Sequence, residues 1–201
     1  MRQLVVRARA GGQAIVEFAL AATLIFFLLA AVVDIGLMYF TLQALRVAAQ
    51  EGATFGSYPV QVANGNVDIP YAEITNRVYG AAGDQGGGFA NLRDLNANGR
   101  DDRSENLHAD PRSPNAFIFV ENLRGANPTN LTAGQGCRGD QRGVELQNGG
   151  LSQLGVPICW IRVTVRYEYR LFFPFAPAFA DTVRLQASHL MPMRSSFFTS
   201  R

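Results

Sequence analysis

GGQAIVEFALAATLIFFLLAAVVD, Gly11 to Asp34, decides how the rest of the chain is read. From Ala14 to Val33 it holds twenty residues, of which Glu17 alone is charged. A helix of that length rises about 30 Å, the thickness of a bilayer's hydrocarbon core. Arg2, Arg7 and Arg9 precede it with no acidic residue. That bias predicts a transmembrane helix over about 14–34, with its N-terminus in the cytoplasm and the remainder outside. A cleavable secretory signal competes with this reading. Its apolar core, however, usually runs to about 7–15 residues, and this one is longer and begins with a carboxylate.

Working outward, no proline interrupts the chain from Gln13 to Gly52, which predicts one long helix. Its second half, TLQALRVAAQEGA, is amphipathic: Gln43, Arg46 and Gln50 share one face, with Leu42, Leu45, Ala49 and Ala53 largely opposite. Gly52, Gly56 and Pro59 are expected to end it. A second helix is expected over 69–82, loop over 83–115, and a short strand at Ala116–Glu121. Residues 122–157 read as a long irregular excursion. In ICWIRVTVRYEYRL, Cys159, Ile161, Val163, Val165, Tyr167 and Tyr169 alternate with polar residues, a strand with one buried face. TVRLQASHLM is expected to pair with it antiparallel. The expected fold class is α+β: a long N-terminal transmembrane and spine helix packed on a small antiparallel β-sheet head with long loops. The domains follow as a basic leader 1–12, a helix 13–53 and an extracytoplasmic head 54–201.

The chain has 201 residues, 48% hydrophobic, with a formal net charge of +2. That charge is too small to argue for nucleic acid. Two histidines and no ordered Ser-His-Asp or Cys-His set leave no case for an enzyme. Cys137 and Cys159 both fall in the part expected outside, where disulfides persist, so a bridge is favoured over two free thiols. Gly134 to Gly139 fits G-x-G-x-x-G, but it follows no strand and opens no helix, so it carries no nucleotide-binding argument.

Several blocks together resemble a known family. They are Gly12-Gln13, Val16-Glu17-Phe18-Ala19, Asp34-Ile35-Gly36 and the Ala-rich segment from Ala48 to Ala53. With the basic leader they resemble the N-terminus of TadE-like pilus proteins, the pseudopilins of tight-adherence systems. The C-terminal strands, with VTVRYEY and a Pro-rich link, are similar to that family's too. The resemblance covers about 45 residues at the N-terminus; residues 57–155 match nothing in it. It implies that a prepilin peptidase cuts after Gly12 on the cytoplasmic side, making Gln13 the new N-terminus and Glu17 the fifth mature residue. It also implies other pilin subunits as partners, with an inner-membrane assembly platform, and an extracellular filament as destination. Glu17 with Phe18, and Asp34, are the assembly candidates.

Physics gives Glu17 two readings. A charge within a membrane span costs roughly 2.5–3.5 kcal/mol at the centre and less at the edge. A neighbouring subunit's new α-amino group offsets that cost; so, more weakly, do water and headgroups at the interface. Asp34 likewise marks the outer interface or contacts Arg46 or another subunit.

DLNANGRDDRSE, Asp94 to Glu105, matches the twelve-residue calcium-loop pattern. Asp94, Asn96 and Asn98 stand at positions one, three and five, Gly99 at six, the Arg100 carbonyl at seven, Asp102 at nine and Glu105 at twelve. Position eight is Asp101, not the usual apolar residue, and no clear helix flanks the loop. The expectation is a structural Ca²⁺ site. A second functional reading keeps the anchor uncleaved and makes the head a calcium-dependent adhesion module, with Arg162, Arg166 and Arg170 facing an anionic ligand.

Overall fold

The computed structural model describes residues 2–58, 60–62, 66–81, 91–105, 110–125, 128–133, 159–171 and 182–193. Helix α1 runs unbroken from Arg2 to Gly56. It starts earlier than Gln13 because the leader holds arginine, leucine and alanine, which favour helix, and no proline. It also passes through Gly52, which was expected to help end it, and stops at Gly56.

The two glycines have a packing reason. A Cβ at Gly52 would lie 2.7 Å from Val78 Cγ2 and 3.3 Å from Val163 Cγ1. One at Gly56 would lie 2.5 Å from Ile161 Cδ1 and 2.8 Å from Ile74 Cδ1. The buried positions of α1 are Ala30, Asp34, Thr41, Leu45, Ala48, Ala49, Gly52, Ala53 and Gly56. They recur at helical intervals along one side, and most are small. A small-residue stripe brings the helix axis close to whatever packs on it.

A short antiparallel pair follows, β1 (Val60–Val62) with β2 (Asn66–Asp68). The sequence reading missed it, although Asn64-Gly65 between alternating residues is a strong short-range hairpin signal. Helix α2, Tyr71–Gly80, buries Ile74, Val78 and Tyr79 against α1. Arg77 holds the outer side of this contact, 4.9 Å over the Phe55 ring and 3.9 Å from Glu51.

The main sheet is antiparallel, ordered β4-β3-β5-β6. Its strands are β3 (Ile118–Arg124), the two-residue edge β4 (Thr132–Ala133), β5 (Cys159–Arg170) and β6 (Thr182–Pro192). The expected pairing of the last two strands is present, from Trp160 opposite Pro192 to Arg170 opposite Thr182. Strand β3 sits two residues later than expected and pairs on the other side of β5, from Ile118 opposite Val165 to Arg124 opposite Cys159. The alternation of β5 holds in the main: Cys159, Ile161, Val163, Val165 and Tyr169 are buried, but Tyr167 is only half-buried and Thr164, expected on the wet face, is buried. Cys159, Ile161, Val163 and Val165 meet Leu45, Ala48, Ala49 and Ala53 of α1 and Ile74 and Val78 of α2 in one core. The class is α+β, a long helix with a small sheet laid against its distal half.

Candidate functional site

Two places bear the expected site residues. The first is the proximal half of α1. From Gly12 to Leu29 every residue is exposed except the half-buried Ala22. This helix is long and apolar enough to cross a membrane. Glu17 sits one turn after Gln13, and the Gln13 side-chain amide donates to Glu17 Oε1 at 2.9 Å. Phe18 is exposed beside it.

Asp34 is placed differently. It is 8% exposed, and its charge acts on Tyr169 near the end of β5. Burial pushes the Tyr169 phenol above the ordinary tyrosine range, and the Asp34 carboxylate adds to that push. Arg46 lies twelve residues on, about 18 Å along the helix axis, on an exposed side. An Asp34–Arg46 pair within the chain is therefore excluded. From Gly12 on, the first buried positions on α1 are Ala30 and Asp34, so the packed part of the helix begins just after Leu29.

Exposed apolar residues nevertheless continue past that point. Val32, Val33, Ile35, Tyr39, Phe40 and Val47 all face outward, Phe40 at 54% and Val47 at 56%. Ile15 to Val47 makes an apolar surface about 48 Å long at 1.5 Å per residue. A hydrocarbon core of about 30 Å covers roughly two thirds of it.

The second place is the loop from Asp94 to Glu105. Leu92 and Leu95 are fully buried and tie it to the core. Glu168 of β5 donates its backbone N–H to the Leu95 carbonyl at 2.8 Å. Asp94 accepts from the Asn98 N–H at 2.9 Å and the Gly99 N–H at 2.8 Å, one on each oxygen. Asn96 Oδ1 accepts from Asn98 N–H at 3.0 Å, and Asn98 Oδ1 from Arg100 N–H at 2.8 Å. Gly99 has φ +88°, the left-handed conformation that glycine adopts freely. A four-residue helix, α3 (Asp102–Glu105), closes the loop. Asp102 Oδ2 reaches back to the Leu95 N–H at 2.7 Å.

Glu105 is engaged by neighbours. The Asn98 side-chain amide donates to Oε2 at 2.6 Å, and the Arg100 guanidinium lies 3.5 Å from Oε1. Asp101 turns away to Arg103 at 3.3 Å, whose hydrogen bond holds its carboxyl below the usual range. Arg103 also lies 5.8 Å over the ring of Tyr79. Among the described residues no group of three His, Cys, Asp or Glu side chains is gathered as a metal cluster.

Other expectations resolve as follows. Cys159 is fully buried on the inward face of β5, and no described cysteine is a free thiol; Cys137 lies outside the described residues. Two of the three arginines in the β5 row are engaged with the protein itself. Arg162 pairs with Glu121 at 3.4 Å, and Arg166 donates to Gln186 at 3.2 Å and to the Pro114 carbonyl at 2.8 Å. Arg170 is exposed. His108 and the G-x-G-x-x-G stretch lie outside the described residues.

The architecture is that of a subunit with a membrane-length helix whose distal half carries a small α+β head. The family model that matches is described as TadE-like protein, and it covers residues 12–54. The resemblance read from Gly12-Gln13, Glu17 and the Ala-rich segment is thereby borne out over that stretch: the N-terminal helix of this chain is TadE-like. No curated protein and no solved structure matches the chain.

Proposed function

We propose that this protein is a pilin-like structural subunit, inserted through the proximal half of α1 and assembled through that helix into an extracellular filament. The observation that carries the reading is the apolar surface on α1 that outruns the bilayer. Val32, Ile35, Tyr39, Phe40 and Val47 lie where the head already flanks the helix, so lipid does not cover them. Exposed apolar area on this scale marks an interaction surface, and a helix bundle of like subunits covers it.

In this reading the N-terminus faces the cytoplasm of an inner membrane and the head lies outside. A prepilin peptidase cuts after Gly12, and the inner-membrane assembly platform then gathers the subunits. The new amine on Gln13 pairs with Glu17 of the neighbouring subunit, so two charges enter the bundle as one neutral pair. The head is held by a Cys137–Cys159 disulfide. A buried Cys159 on the outer side of a membrane supports it, and closing a loop of this length contributes on the order of 3 kcal/mol.

The test replaces two exposed residues of the stripe, Phe40→Ser with Val47→Ser. Head melting temperature stays within the range of surface substitutions, about 0.5 kcal/mol, while recovery of the chain in sheared filaments drops sharply. The mass of the assembled wild-type chain should begin at Gln13. Filaments of normal yield from the double variant, or an assembled chain that retains Met1, would sink the proposal.

A further inference from the structure

We infer that the Asp94–Glu105 loop is a calcium site that locks the loop onto the head, whether or not the chain assembles. Asp102 is 2% exposed, and its Oδ1 has no hydrogen-bond partner among the described residues. Leaving a buried carboxylate oxygen unpaired is costly, so such an atom calls for a cation or a proton.

Its surroundings favour the cation. The carboxyl lies inside the loop: its other oxygen takes the Leu95 N–H, and the negative charges of Asp94 and Glu105 both act on it. Asp94 is itself 7% exposed. Of the nearby arginines, Arg100 is engaged with Glu105 and Arg103 with Asp101, and the Arg93 carbonyl accepts the Asp102 N–H at 2.7 Å. The spacing of the loop offers a cation further oxygen ligands from the same twelve residues: the carboxylates of Asp94 and Glu105, the side-chain carbonyls of Asn96 and Asn98, and the Arg100 carbonyl. A hard cation that takes six to eight oxygens fits that set. Magnesium, which demands compact octahedral geometry and keeps its water, fits it less well.

The structure also places the part that must move. Glu105, at position twelve, gives its oxygens to the Asn98 amide and the Arg100 guanidinium. These are a donor and a positive charge at the carboxylate that would clamp the metal with both oxygens. Filling the loop exchanges them for the ion and turns the Asn98 oxygen inward. The gain passes to the sheet through Leu95, whose carbonyl holds the Glu168 N–H of β5.

The full chain in neutral detergent is melted in EDTA, in about 10 mM MgCl₂ and in about 10 mM CaCl₂, above the roughly 10⁻⁴–10⁻³ M Kd of extracellular calcium loops. Calcium raises Tm by several degrees, and magnesium raises it less. Asp102→Asn abolishes the calcium shift while melting no lower than wild type in EDTA, because it removes a buried unpaired charge. Glu105→Gln also loses the shift, and it serves if the first variant does not fold. Asp101→Asn, which points away, keeps it. Equal Tm in all three solutions overturns the inference, as does a full calcium shift in Asp102→Asn or an equal response to magnesium.

Discussion

One unbroken helix carries two halves of opposite fate. From Gly12 to Leu29, α1 touches almost nothing of its own chain; from Ala30 to Gly56 one side of it is buried beneath β5, β6 and α2. The proximal half is apolar on every side, with Glu17 its one charge, while the distal half is amphipathic, with Gln43, Arg46 and Gln50 on one face. Residue size separates them as well. The distal half offers alanine and glycine on the buried side, which lets a sheet lie close. The proximal half offers Leu, Ile and Phe on every side, which suits lipid or other helices. Glu17 is exposed and Asp34 is buried. The first takes only the Gln13 amide at the helix surface among the described residues, while the second is enclosed by the chain itself.

The sharpest way to break this contrast is Glu17→Ala. Membrane insertion persists, since a charge has left the span. Filament incorporation falls by about 100-fold, because an unmatched amine in the bundle costs roughly 2.5–3.5 kcal/mol and each 1.4 kcal/mol is a factor of ten. Immunoblots of membrane and sheared-filament fractions read both quantities. Equal incorporation by wild type and variant would leave Glu17 as an interfacial residue bonded to water.

The distal half should respond to size where the proximal half does not. Gly52→Val places methyl groups against Val78 and Val163, both short and β-branched, and so destabilises the head by about 1–3 kcal/mol. Gly52→Ala costs less, because alanine recovers about 1 kcal/mol of helix propensity. Gly12→Ala meets nothing within 4 Å and leaves head stability unchanged. Urea unfolding of the three variants orders them; a Gly52→Val head as stable as wild type would mean that α1 is not seated this closely.

How much of this was legible follows the same division. The long apolar run and the alternation of β5 are local, repeating signals, and both predicted elements formed. The β5–β6 pairing followed because two alternating strands with little between them have one simple solution. The burial of Asp34 was not legible, because it depends on how far β5 runs back along α1. Gly52 and Gly56 read as helix stops for a related reason. In sequence a glycine signals weakness, and only the neighbouring Val78 and Ile161 show that it signals contact. The calcium-loop spacing was explicit, but the orphaned Asp102 oxygen belongs to the fold.

The smallest expected effect tests whether Asp34 truly belongs to the head. Tyr169 is 6% exposed, and its phenol is raised first by burial and then by the Asp34 charge. A phenol raised in the folded state binds its proton more tightly there than in the unfolded chain. Its contribution to stability is therefore complete below the ordinary tyrosine value of about 10 and is lost as pH climbs through the raised value. Asp34→Asn removes the charge and keeps the shape. The Tyr169 titration, followed by ultraviolet difference absorbance, should move down toward ordinary tyrosine, and the alkaline loss of stability should shrink with it. A Tyr169 titration that ignores the substitution would place Asp34 away from the end of β5. The sheet would then not reach down to Asp34, and the boundary between the lipid-facing and head-bearing halves would move up the helix.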